Sequence, residues 1–146
     1  MRTNKLIALT LAATLTVAVA ACGSSDSAKA LTKAGFIKEA DAICKAGDAK
    51  LEQAGDAVDA SDQKAMNAFI LLASTASLKQ ISDMRALGFP KGDEDELDKA
   101  LSTFETAFES VRKDPEKVQG LSKNRKIKAA SKTLGTYGLK ECGNDG

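Results

Sequence analysis

Between residues 97 and 111 the large apolar side chains are Leu97, Leu101, Phe104, Phe108 and Val111, separated by alternating steps of four and three. That spacing lines one face of a 3.6-residue helix, whereas a strand would repeat every second residue. Three more stripes follow the same rule. Phe36, Ala40, Ile43, Gly47, Leu51, Ala54 and Val58 form the first. Met66, Phe69, Ile70, Ala73, Ser77, Ile81 and Met84 form the second, widened by Leu72 and Leu78. Val118, Leu121, Ile127, Ala130, Leu134 and Tyr137 form the last. Aromatic residues are only 4% of the chain and β-branched residues are scattered, so composition also favours helix over strand.

The punctuation between stripes is consistent with helices. Thr32 offers a cap for the first, and Gly47 and Gly55 weaken that helix, so packing must hold it. Asp59-Ala60-Ser61-Asp62 breaks the chain, with Ser61 as the expected cap of the second helix. Gly88-Phe89-Pro90 stops it. Asp93 with Glu96 predicts a capping box, and the acidic run 93–96 suits the positive end of a helix. Asp114-Pro115 starts the last segment, in which Gly120 and the polar residues 122–124 predict a bend or break. The fold class expected is all-α, an antiparallel four-helix bundle.

The N-terminus gives an address. A short basic start, Met1-Arg2-Thr3-Asn4-Lys5, precedes an uncharged apolar stretch from Leu6 to Ala20 and then Cys22. The stretch is shorter than the ~20 residues of a spanning helix. Cleavage after Ala18-Val19-Ala20 would fit ordinary secretion but leaves Cys22 as an unpaired third cysteine. Val19-Ala20-Ala21-Cys22 resembles the lipobox of bacterial lipoproteins, which implies cleavage before Cys22 and acylation of its thiol. Residues 1–21 are then a lipoprotein signal peptide, 22–31 a flexible tether, 32–142 the helical domain and 143–146 a tail.

Acylation of Cys22 leaves two of the three cysteines, Cys44 and Cys142. In an oxidising compartment such a pair forms a structural bridge, here tying the first helix to the C-terminus. Closing a loop of about a hundred residues stabilises by roughly 4 to 5 kcal/mol on loop entropy alone. Neither cysteine lies in a C-x-x-C pattern, which argues against a redox pair.

Composition narrows the chemistry. The chain has no histidine, which removes the usual triads, Cys-His pairs, histidine haem ligation and the Glu-x-x-His pairs of di-iron bundles. Tyr137 could ligate haem by itself, but at helical spacing it reads as core. The run 93–96 lacks the spacing of a calcium loop, and Glu105 with Glu109 reads as a surface stripe. No metal, cofactor or enzymatic activity is therefore expected. Without Arg2 and Lys5, 19 basic residues face 20 acidic ones, which gives no basis for nucleic-acid binding. Positive charge nevertheless gathers at Lys123, Arg125, Lys126, Lys128 and Lys132. These residues either pair with the acidic third helix or face an anionic surface near the anchor.

The segments Leu31–Cys44 and Tyr137–Gly143 resemble small two-cysteine lipoproteins and secreted proteins of actinobacteria, although Gly35 departs from the helix-forming residue expected there. The resemblance implies export, helices and the bridge, and carries no activity across. The expectation is a lipid-anchored extracytoplasmic lipoprotein acting as a non-catalytic module of the cell envelope. Its partners would be the membrane and an envelope protein. The alternative is a carrier holding a small apolar ligand between its helices.

Overall fold

The computed structural model describes residues 31–143. The leader, Cys22, the tether as far as residue 30 and residues 144–146 lie outside the described residues. The described part is all-α: α1 spans Lys33–Asp56, α2 Gln63–Ala86, α3 Glu94–Lys113, α4 Val118–Leu121 and α5 Arg125–Tyr137. A 3-10 turn, Pro115–Lys117, leads into α4. Consecutive long helices pack against one another, α1 on α2, α2 on α3 and α3 on α5, in the expected four-helix arrangement. The last segment is broken as its sequence indicates, by Ser122-Lys123-Asn124.

Caps explain most of the boundaries. Thr32 Oγ1 accepts from Gly35 N at 3.1 Å. The cap of α2 is Asp62 rather than Ser61: Asp62 Oδ1 accepts from Lys64 N and Ala65 N. Ser61 instead donates through N and Oγ to Asp59 Oδ1, because a carboxylate one residue closer to the helix offers the stronger acceptor. Asn124 caps α5 by accepting from Lys126 N at 2.9 Å.

Asp93 is the second departure. It occupies the cap position of α3 but makes no side-chain bond to that helix. Its Oδ2 accepts from the Tyr137 hydroxyl at 2.7 Å, a bond joining residues 44 apart. The carboxylate still places negative charge at the helix start, and a buried phenol needs a partner more than a solvated helix end does. Burial and then the Asp93 bond push the Tyr137 phenol well above its ordinary range, so it stays neutral.

The core gathers at the end of the bundle that holds Thr32 and Tyr137. Phe36 is fully buried, edge-on to Phe89 at 5.8 Å and to Tyr137 at 6.3 Å. Leu97, Leu101, Leu134 and Leu139 complete it. α5 ends where Gly138 takes φ 120°, and a Cβ there would sit 2.9 Å from Ile37 Cδ1. Only glycine meets both demands. The chain then folds back along α1, where Asp41 accepts from Lys140 N and Glu141 N. Cys142 bonds Cys44 across a Cα separation of 5.4 Å, so the expected bridge is present.

Candidate functional site: a bridge-side cavity and a basic helix face

At the bridge the bundle is incomplete. α5 is only 13 residues long, and beyond Cys44 no residue up to Ala73 is fully buried. Beside the bridge a cavity of about 230 Å³ opens between α1, α2, α3 and Leu134 of α5. Its floor is Ile81, Met84, Leu101 and Leu134. Phe104 and Phe108 form one wall, their rings stacked at 6.2 Å. Cys142 Sγ lies 3.7 Å from Met84 Sδ, so sulfur lines the side of the bridge.

The mouth is polar and acidic. Asp48, Ser77, Gln80 and Glu141 rim it, and no lysine or arginine is among its lining residues. Gln80 crosses from α2 and donates from Nε2 to the Cys44 carbonyl at 3.2 Å. A Cβ on Gly47 would lie 1.8 Å from that nitrogen, which accounts for a glycine in the middle of α1. Burial raises the Asp48 carboxyl above its ordinary value and the charge of Glu141 adds to this, against a lowering bond from Gln80. Among the described residues, no cationic side chain lies within 4.0 Å of Asp48 or Glu141. A wider groove of about 740 Å³ runs between α3 and α5, but charges of both signs line it, Asp95 and Glu96 with Lys99 and Lys126.

Lys123, Arg125, Lys126, Lys128 and Lys132 are all exposed. Arg125, Lys128 and Lys132 share the face of α5 turned away from Ala130 and Leu134, whereas Lys126 flanks the groove toward α3. The expected pairing with α3 is absent among the described residues, since none of the five lies within 4.0 Å of a carboxylate. Two carboxylates of α3, Asp98 and Glu105, turn instead to α2, while Asp95 and Glu96 line the groove toward α5. Arg85 Nε donates to Asp98 at 2.9 Å, Nη1 to Glu105 at 2.7 Å and Nη2 to Ser102 at 2.8 Å. Glu109 pairs within α3 with Arg112. The planar guanidinium of Arg85, anchored on α2, reaches both Asp98 and Glu105 at once.

Tyr137 is buried against Phe36 with its hydroxyl engaged by Asp93, the core role expected from its spacing. Asp48, Gln80 and Glu141 carry no signal in the sequence patterns, and Ser77 stands there only as a member of the α2 stripe. The bridge itself contains the signal that finds the two acids. Joining Cys44 to Cys142 brings Glu141 beside α1, and Asp48 stands one helical turn beyond Cys44. No protein-family model matches this chain, and neither does any curated protein or solved structure.

Proposed function

We propose that this chain is a lipid-anchored, extracytoplasmic, non-catalytic binding protein of a bacterial cell envelope. The observation that carries the reading is Val19-Ala20-Ala21-Cys22 at the end of a basic-then-apolar leader. The bridge supports it, because a disulfide linking residues 98 apart persists best in an oxidising compartment. The unpaired basic face of α5 adds a physical partner. Thr32 starts α1 at the same end as Tyr137, with Lys33 Nζ 4.0 Å from the Tyr137 ring. A tether from Cys22 to Leu31 spans at most roughly 30 Å, so α5 stays within reach of the surface that holds the anchor. Anionic headgroups there attract each lysine or arginine by about 1 kcal/mol.

Intact-mass analysis of the membrane fraction, with metabolic labelling by an alkyne fatty acid, tests the anchor. Diacylglyceryl and acyl mass on Cys22 is expected, and Cys22→Ala should release the chain and abolish the label. An unmodified N-terminus would overturn the reading. The Cys22→Ser chain, lacking acyl groups, should sediment with phosphatidylglycerol vesicles at low salt and lose that binding on Lys128→Glu with Lys132→Glu.

A second reading, a carrier of a small ligand, is favoured by the cavity over the bridge.

A further inference from the structure

The cavity over the bridge has two chemical halves, and together they specify a ligand. This inference rests on the carrier reading above. The floor and one wall are apolar and aromatic, formed by Ile81, Met84, Leu101 and Leu134 with Phe104 and Phe108 beside them. A volume of about 230 Å³ exceeds the 150 Å³ or so that houses benzene in a protein interior, which leaves room for a ring with a short chain. The rim has two carboxylates, Asp48 and Glu141, with no basic side chain among the lining residues.

Of the other acids along that edge of α1, Asp41 is the one nearest the returning chain. Asp41 is occupied by the backbone N–H groups of Lys140 and Glu141. Gln80 offers Asp48 a neutral donor, leaving its charge uncompensated. Asp48 and Glu141 repel one another across the mouth, and a cation placed between them would relieve that repulsion. We infer that the cavity binds a small amphiphilic amine, its aromatic or aliphatic body on the sulfur-and-phenyl floor and its ammonium between Asp48 and Glu141.

Three probes of matched size separate the two halves: 2-phenylethylamine, 2-phenylethanol and phenylacetate. The reporter is the ε-methyl of Met84 in the cavity floor, followed by carbon-13 NMR of the purified, bridge-intact chain, with Met66 on α2 outside the cavity as the control. The expected result is a saturable Met84 shift for the amine, with affinity about tenfold above the alcohol and further above the carboxylate, and an unmoved Met66. Asp48→Asn with Glu141→Gln should erase the preference for the amine and leave the alcohol's affinity in place.

An alcohol as tight as the amine would overturn the charge selection while the carrier reading stood. Preference for the amine that survives the double substitution would overturn the assignment to these two acids. No saturable Met84 shift with any of the three probes would overturn both the inference and the carrier reading.

Discussion

The two ends of this bundle obey different rules. At the end holding Thr32 and Tyr137, four helices meet and Phe36, Leu97, Leu101, Leu134 and Leu139 are almost wholly withdrawn from water. At the other end α1 and α2 continue past the reach of α5, and their apolar stripe stays half-buried, with Leu72 53% exposed. The stripes look alike in sequence, so the difference comes from helix length. A fourth helix of 13 residues cannot cover two of 24. The bundle is stable at one end and accessible at the other, and the cavity lies on the boundary.

Four substitutions or treatments test that contrast. Phe36→Ala should cost about 4 kcal/mol in chemical denaturation, because it empties a fully packed site. Phe69→Ala, on the half-buried ring beside Gly55, should cost only about 1 kcal/mol. Equal losses would mean that the two ends do not differ as described. Replacing Cys44 and Cys142 with serine should cost about 3 kcal/mol and speed hydrogen exchange in residues 139–143. Tyr137→Phe removes the bond to Asp93 and should cost about 1 kcal/mol, read as a fall in melting temperature.

The smallest effect concerns pH. A carboxyl whose folded pKa lies above its unfolded value stabilises the fold while protonated, and that contribution is lost as pH rises through the folded pKa. Asp48 is such a group, so Asp48→Asn should raise the melting temperature slightly at neutral pH and leave it unchanged at pH 3. A shift of equal size at both would show that charge is not the cause.

The fold was largely legible because periodicity and punctuation agree. The steps of 97–111 became α3, and Asp114-Pro115 with the polar residues 122–124 marked the broken last segment. Local rules failed where a tertiary partner outbid them. Asp93 left its capping box for Tyr137, and Asp98 and Glu105 of α3 pair with Arg85 of α2 rather than with α5. Gly47 read as a weakness in α1, whereas it is the gap through which Gln80 reaches the Cys44 carbonyl. The cavity was hidden for a related reason: its rim joins residues that sequence separates by up to 93 positions, and only the fold brings Asp48 to Glu141.

The position of the bridge has a mechanical consequence under the proposed anchoring. Tension applied through the membrane tether enters the domain at Thr32 and meets a covalent clasp at Cys44. Only the first three turns of α1 lie on that load path before the clasp. A ligand or partner seated at the bridge would therefore pull against covalent bonds, and everything between Cys44 and Cys142 would be shielded from unravelling.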